Sequence, residues 1–187
     1  MKRLTEQVHE LLAEVVCPGD IAIDATAGNG HDTLFLAQQV GPAGCVYAFD
    51  IQQTALDHTQ ARLNEAGIAN VVLHRECHSR MSKLIPESRH GSVAAVTFNL
   101  GYLPSGDKTI ITKPETSVRA IQTAVELLRP GGIITVLCYT GHPGGLEEAD
   151  AIEQALRELS GSRITLESIT SEETQGPSPK LFVIRKK

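Results

Sequence analysis

Strand-like and helix-like patterns alternate along most of the chain, and this alternation constrains the fold more than any other feature. Short apolar runs typical of strands are separated by amphipathic segments with helical spacing and by glycine or proline. Such alternation predicts an α/β protein in which helices cover both faces of a mostly parallel sheet, a three-layer αβα sandwich. The predicted strands are residues 21–23, 45–49, 71–73, 93–98, 133–138, 164–169 and 181–184.

The two ends of the chain depart from strict alternation. The chain begins with a helical pattern over residues 4–15, ahead of the first strand. No helical pattern lies between the last two strands, so they should pair antiparallel around the turn-rich segment 175–179. The other predicted helices cover residues 33–37, 52–65, 81–85, 114–127 and 146–159. We find no internal repeat or linker and expect one domain over residues 1–187.

Composition narrows the classes of protein. An apolar fraction of 41% supports a core, and no apolar run is long enough for a membrane span. The first residues lack the pattern of a secretory signal. The cysteines, Cys17, Cys45, Cys77 and Cys138, are too widely spaced to indicate a metal site or a disulfide framework. We therefore expect a cytoplasmic protein with no bound metal and no membrane partner.

The loop after the first strand, residues 24–32, is the first candidate ligand site. In open parallel sheets, ligands bind at the carboxyl ends of the strands. Gly28 and Gly30 allow a sharp turn and a close approach of the backbone to a ligand. Asp50 ends the second strand and suits hydrogen bonds from two ribose hydroxyls. The loop therefore predicts a nucleoside-containing cofactor.

Two residues favour S-adenosyl-L-methionine over a nicotinamide cofactor. Thr33 replaces the third glycine of the dinucleotide fingerprint, and Asp24 ends the first strand with a carboxylate that disfavours phosphate and suits a cationic ligand. The alternative is a glycine turn that only packs a helix on the sheet. The residues predicted to bind the cofactor are Asp24, Thr26, Gly28, Asn29, Gly30, Asp32, Thr33, Asp50, Gln52, His78 and Asn99. For His78, at the expected adenine edge, the alternative is a solvated loop histidine.

The fourth and fifth strands end in candidate catalytic residues. Asn99 and Tyr102 have the spacing of the N-P-P-Y signature of amino-group methyltransferases, with Leu-Gly in place of Pro-Pro. In that signature the asparagine accepts a hydrogen bond from the amine, and the aromatic ring stacks on a flipped base. The alternative is an asparagine at a strand end and a tyrosine that covers the core. His142 either accepts a proton from the substrate amine or shapes the pocket.

Four motifs together resemble one bacterial family. DATAGNGHDTLFLA, FNLGYLPSGDK, TKPETS and GHPGG, in this order, are similar to the family first labelled putative rRNA methylases, of the MnmM/YtqB type. The resemblance implies a Rossmann-like class I methyltransferase fold with a seven-stranded sheet and S-adenosyl-L-methionine as cofactor. It also implies methylation of 5-aminomethyl-2-thiouridine at the tRNA wobble position to 5-methylaminomethyl-2-thiouridine. Cys77 departs from the small residue expected before His78.

An amine attacking the methyl group must be neutral. Desolvation could lower its pKa, or His142 or Asp107 could accept its proton. The anticodon region of tRNA is the expected partner, although the net charge is −5. The basic residues that could contact its phosphates are Arg80, Lys83, Lys108, Lys113 and Arg119.

Other functions remain open at this point. They are a methyltransferase that acts on rRNA or a small amine, and a binding module that holds the cofactor without catalysis. For assembly, we expect a homodimer formed through the first helix and the last hairpin.

Overall fold

The computed structural model describes residues 2–104, 106–107, 109–161, 163–170 and 178–187. Lys108 and residues 175–177 of the predicted final turn lie outside these ranges. The strands are β1 Ile21–Asp24, β2 Cys45–Asp50, β3 Val71–Arg75, β4 Val93–Leu100, β5 Leu128–Cys138, β6 Ile164–Thr170 and β7 Lys180–Lys186. The α-helices are α1 Leu4–Ala13, α2 His31–Val40, α3 Gln53–Glu65, α4 Met81–Leu84, α5 Pro114–Leu127 and α6 Gly145–Leu159. The predicted alternation is thus confirmed in the described part of the chain.

The strands form one seven-stranded sheet in the order β3-β2-β1-β4-β5-β7-β6. β1 to β5 pair in parallel, whereas β7 lies between β5 and β6 and is antiparallel to both. This confirms the mostly parallel sheet and the antiparallel final strand. The chain runs outward from β1 in one direction and then restarts at β4 on its other side, so the carboxyl ends of β1 and β4 border a topological switch point.

Helices cover both faces of the sheet and bury its apolar side chains. On one face, α1 and α2 pack through Leu4, Val8, Leu12 and Leu36 against residues such as Ala95. On the other face, α5 and α6 contribute most of the helical side chains to the larger core cluster. These helical residues are Ala120, Ile121, Ala124, Val125, Leu127, Ala149, Ile152 and Leu156. The three-layer architecture is therefore the predicted one.

Several strands extend beyond their predicted ranges, and β4 and β5 are two of them. β4 continues to Leu100, so Asn99 lies inside the strand and pairs with Leu137 of β5. β5 begins at Leu128, and its register against β4 shifts between Val93 and Ala95. The Pro130-Gly131-Gly132 segment, which lies between the predicted helix over 114–127 and the predicted strand over 133–138, therefore forms an irregular start of the strand. None of the helices in the described ranges is long and apolar enough to cross a membrane.

Candidate cofactor and substrate site

A cavity of about 1020 Å³ opens at the carboxyl ends of β1, β2, β4 and β5. Its position matches the switch point at which open α/β sheets bind ligands. The sequence-predicted residues that line it are Thr26, Gly28, Asn29, Asp32, Asp50, Gln52, His78, Asn99, Tyr102 and His142. One cavity thus brings together most of the candidate cofactor residues and all three candidate catalytic residues.

Asp24, Gly30 and Thr33 do not line this cavity but lie behind it. The Asp24 side chain is fully buried; its Oδ2 accepts a hydrogen bond from the Thr33 hydroxyl (2.6 Å), and its Oδ1 accepts one from the Thr26 backbone N–H (3.1 Å). The sequence interpretation placed the Asp24 carboxylate against a cationic ligand. This interpretation needs correction, because both carboxylate oxygens are directed at the loop. Asp24 therefore holds the loop in shape from inside the protein.

The glycine loop is fixed by the end of β2. Asp50 accepts hydrogen bonds from the backbone N–H groups of Gly28 (3.0 Å) and Gln52 (2.9 Å). Gly28 and Gly30 have φ of +53° and +77°, in the region that favours glycine. Each Asp50 oxygen accepts one backbone N–H and has further lone pairs for donors from a ligand. The predicted acceptor for a ribose diol is thus at the cavity wall.

Beside Asp50, His78 forms a buried part of the cavity wall. It is 7% exposed, its Nδ1 lies 3.2 Å from the Ala25 carbonyl oxygen, and its ring meets Phe98 edge-on. Because a carbonyl only accepts, Nδ1 carries the proton and Nε2 presents a lone pair. Nε2 is buried and has no hydrogen-bond partner among the described residues. The alternative of a solvated loop histidine is therefore wrong.

Asn99 lies at the floor of the cavity, between β1 and β5. Its backbone N–H donates to the Thr26 hydroxyl (2.7 Å), and its Nδ2 donates to Asp32 Oδ2 (2.6 Å). The amide orientation follows from this second bond, since a carboxylate can only accept. The Asn99 Oδ1 is consequently the amide atom that remains for a donor from a substrate.

The rings of Tyr102 and His142 meet edge-on at the cavity rim, with centroids 5.9 Å apart. Tyr102 is 40% exposed, which leaves part of its ring open for stacking. The Nδ1 of His142 is 3.0 Å from the Pro143 carbonyl oxygen, so the proton lies on Nδ1 and the lone pair on Nε2. Nε2 is buried, without a partner in the described chain. Gly145 allows this packing, because an added Cβ would lie 2.9 Å from Nε2.

Sequence reasoning missed the contribution of α1 and of Tyr139 to the site. Arg3, Glu6 and His9 line the cavity from the first helix, which we expected to serve only packing or assembly. Tyr139 lines it from the segment after β5 and is 42% exposed. No periodicity signal marks His9 as a site residue. The position of Tyr139 directly after a parallel strand is a signal that could have identified it.

The predicted basic cluster is spread over several elements. Lys113 lines the cavity just before α5, while Arg80 pairs with Glu76 at 3.0 Å. Lys83 and Arg119 are exposed. Asp107 is exposed, does not line the cavity, and accepts hydrogen bonds from the backbone N–H and hydroxyl of Thr109. Asp107 is therefore poorly placed as a proton acceptor.

The four cysteines are free thiols. In the described residues, no group of three or more His, Cys, Asp or Glu side chains is placed to hold a metal ion.

The pKa of Asp24 is raised and that of His78 is lowered, and both shifts favour the neutral form of the side chain. Burial, and next the charge of Asp32, raise the pKa of Asp24 to about 7. Burial lowers the pKa of His78 to about 4. Between about pH 4 and 6.5, folded Asp24 keeps a proton that the unfolded chain releases, so this residue makes stability fall as pH rises. Over the same range the unfolded chain protonates His78 and the folded chain does not, so His78 makes stability rise with pH.

We expect the contributions of Asp24 and His78 to the pH dependence of the free energy of unfolding to cancel in the wild type. Variants that lack one of the two side chains should reveal the contribution of the other. Each contribution corresponds to a slope of about 1.4 kcal/mol per pH unit. In Asp24→Asn, the free energy of unfolding should rise more steeply than wild type between pH 4.5 and 6.5, by about that slope. In His78→Gln, it should instead fall relative to wild type over this range. Urea unfolding at three pH values measures the free energy of unfolding of both variants. Profiles parallel to wild type would contradict the pKa shifts of Asp24 and His78.

Comparison with known proteins identifies the family. The profile of the family described as "Putative rRNA methylase" matches residues 46–185. A curated protein of Arabidopsis thaliana, "tRNA (mnm(5)s(2)U34)-methyltransferase, chloroplastic", is 43% identical over 161 residues. The match covers 81% of this chain and 58% of that protein, so the chain spans little more than half of this relative.

Solved structures agree over the full length. The crystal structure of a putative rRNA-methylase from Clostridium thermocellum superimposes with a TM-score of 0.94 at 39% identity, covering 100% of this chain and 99% of that one. A putative methyltransferase from Streptococcus mutans in complex with SAH has a TM-score of 0.89 and 36% identity, with coverage of 100% and 99%. The chain therefore belongs to the family described as putative rRNA methylases and has the class I methyltransferase fold.

Proposed function

We propose that the protein is an S-adenosyl-L-methionine-dependent N-methyltransferase that acts on the wobble uridine of tRNA. It converts 5-aminomethyl-2-thiouridine to 5-methylaminomethyl-2-thiouridine. The observation that carries the proposal is the single cavity in which the Asp50-held glycine loop faces the amide of Asn99. The name of the Arabidopsis relative supports the substrate, and the SAH complex of the Streptococcus mutans protein supports the cofactor.

The cavity fits the chemistry of the cofactor. Asp50 offers carboxylate oxygens for two ribose hydroxyls, and its two backbone hydrogen bonds keep it in place. The ring of His78 lines the cavity wall at the expected adenine edge. The loop at Gly28 allows the close approach that a nucleoside needs. The bound cofactor would supply a methyl group on a sulfonium, whose sulfur leaves as a neutral thioether when the C–S bond breaks.

Asn99 orients the amine that is methylated. Its Oδ1 accepts a hydrogen bond from the amine nitrogen, which directs the nitrogen lone pair toward the methyl group. Such positioning can supply about 7–11 kcal/mol of the barrier through effective concentration. Tyr102, part of whose ring is open at the rim, provides a stacking face for the flipped base. Lys113 at the same cavity is a candidate contact for an RNA phosphate.

The amine must lose its proton before it attacks. A free alkyl amine has a pKa near that of lysine, about 10.4, and desolvation in the cavity lowers this value. The buried Nε2 of His142 supports a pocket-shaping role for this residue over direct proton transfer. The positive charge of the sulfonium would also lower the pKa of the amine and favour its neutral form. Desolvation is thus the proposed source of the neutral nucleophile.

Mass spectrometry of nucleosides tests the proposal. The protein is incubated with the methyl donor and with tRNA that carries 5-aminomethyl-2-thiouridine, and the methylated nucleoside should appear. Parallel reactions with rRNA and with small amines test the two alternative substrates. Product only in those reactions would overturn the tRNA assignment, and no transfer to any substrate, with cofactor binding intact, would indicate a non-catalytic binding module.

Asn99→Ala is expected to lower the single-turnover rate about 100-fold, because the amine loses its orientation. The control is Asn64→Ala, which removes an exposed amide on α3. A full rate in Asn99→Ala at saturating cofactor would remove Asn99 from the mechanism.

A homodimer, action on the anticodon region and a cytoplasmic location stay predictions. The cytoplasmic location is in keeping with four free cysteines.

A further inference from the structure

We infer that His9 and Asp32 are positioning residues that fix the amide of Asn99, with its oxygen directed to the substrate amine. The kinetic part of this inference rests on the proposed function, whereas its structural part does not. The three residues come from α1, α2 and β4, and all three line the cavity.

The three side chains form a continuous hydrogen-bonded chain. His9 Nε2 lies 2.6 Å from Asp32 Oδ1, and Asp32 Oδ2 lies 2.6 Å from Asn99 Nδ2. Each oxygen of the carboxylate therefore has its own partner. The side chains of His9 and Asp32 are 32% and 13% exposed, so solvent only partly screens the pair.

The Asp32 carboxylate determines which atoms donate in these two hydrogen bonds. A carboxylate only accepts, so His9 must donate from Nε2 and Asn99 must donate from Nδ2. The two ends of an asparagine amide have nearly the same shape, and nothing in their volume selects one orientation. Without Asp32, the amide could turn over and present its NH₂ group to the substrate amine, where an N–H would donate to the nitrogen lone pair that must attack the methyl group. Asp32 thus selects the productive orientation.

His9 is held in place by stacking. Its ring lies parallel to that of Phe35, with centroids 4.0 Å apart and planes 5° apart. Phe35 and Asp32 are three residues apart on α2, so they present neighbouring side chains to α1. The His9 ring therefore contacts Phe35 through its face and Asp32 through Nε2. His9 thus links the first helix to Asp32 beside Asn99.

The hydrogen bond from His9 also stabilises the negative charge of Asp32. Asp24 at the end of β1 and Tyr139 after β5 are close enough to Asp32 to be affected by its charge. The Asp32 charge raises the pKa of both, after the larger effect of burial. A donor from His9 stabilises the Asp32 carboxylate in this acidic environment.

Three variants separate hydrogen bonding from packing. His9→Phe keeps the stacking on Phe35 but removes the donor, whereas His9→Gln supplies an amide N–H of similar reach. Asp32→Ala removes the acceptor. At saturating cofactor we expect the single-turnover rate of methyl transfer to fall about 10-fold in His9→Phe and about 100-fold in Asp32→Ala. His9→Gln should recover most of the rate lost in His9→Phe, and His90→Phe, at an exposed histidine, is the control.

The dissociation constant of the cofactor distinguishes positioning from binding. It should change less than about 3-fold in the His9 and Asp32 variants, because the chain acts on Asn99 and the amine. A loss of cofactor affinity as large as the loss of rate would assign Asp32 to cofactor binding and overturn the inference. Equal rates in His9→Phe and His9→Gln would show that the donor has no role.

An NMR measurement tests the chain without any activity. The side-chain NH₂ signals of Asn99, identified by their loss in Asn99→Ala, should be shifted downfield by the charge-assisted bond. They should move upfield in Asp32→Ala and change less in His9→Gln than in His9→Phe. If the wild type transferred no methyl group to tRNA, the proposed function would fail while this measurement still decided the structural part. Unchanged Asn99 signals in Asp32→Ala would overturn it.

Discussion

Gly30→Ala is expected to lower the free energy of unfolding by about 2–5 kcal/mol and to weaken cofactor binding at least ~10-fold. Gly30 has φ of +77°, and an added Cβ would lie 2.8 Å from the Cα of Thr59 on α3. Because that neighbour is backbone, it cannot rotate away, so α3 or the loop must move. Gly28 and Asn29, which line the cavity, precede Gly30 directly, and a shift there distorts the cofactor site.

Gly41→Ala is the matched control, because Gly30 and Gly41 flank the same helix, α2. Gly41 also has a positive φ, +62°, but an added Cβ would meet no atom within 4 Å. Because Gly41 has ψ of −177°, in a region that is essentially restricted to glycine, the substitution should cost only the backbone strain, about 1–3 kcal/mol, and leave cofactor affinity unchanged. Urea unfolding and calorimetric titration measure both quantities. Equal losses of cofactor affinity in the two variants would mean that contact with Thr59 is unimportant.

Asp50→Ala is expected to weaken the binding of S-adenosyl-L-methionine about 10²- to 10⁴-fold. Hydrogen bonds to a charged group contribute about 1.5–3 kcal/mol each, and two from ribose hydroxyls would be lost. The substitution also leaves the N–H groups of Gly28 and Gln52 without their carboxylate acceptor, which loosens the glycine loop. Calorimetric titration of the variant against wild type measures the change.

Asp57→Ala controls for the loss of one negative charge near the site. Asp57 is exposed on α3, and Gln53, on the same helix, donates to it. The affinity of the Asp57→Ala variant for the cofactor should equal that of wild type.

Titration of the wild type or of any variant with a nicotinamide dinucleotide should give no heat of binding. Tight binding of that dinucleotide to the wild type, without binding of the sulfonium nucleoside, would contradict the cofactor assignment.

Much of the fold and the location of the site could be predicted from the sequence. Apolar periodicity separates strands from helices locally, and alternation of the two leaves few topologies with short right-handed connections. In a parallel sheet, residues that follow strands meet at one edge. The positions of Gly28, Asp50 and Asn99 at strand ends were therefore enough to predict that they share a cavity, as they do.

Only the tertiary structure decided which way the side chains point. Asp24 ends β1 as Asp50 ends β2, yet the first is fully buried against Thr33 and the second faces the cavity. His9 gave no sequence signal, because its partner Asp32 is 23 residues away on another helix. Chain order determines which strand ends are neighbours. The direction of a carboxylate or an imidazole depends on distant hydrogen-bond partners and on burial, which exist only after the helices have packed.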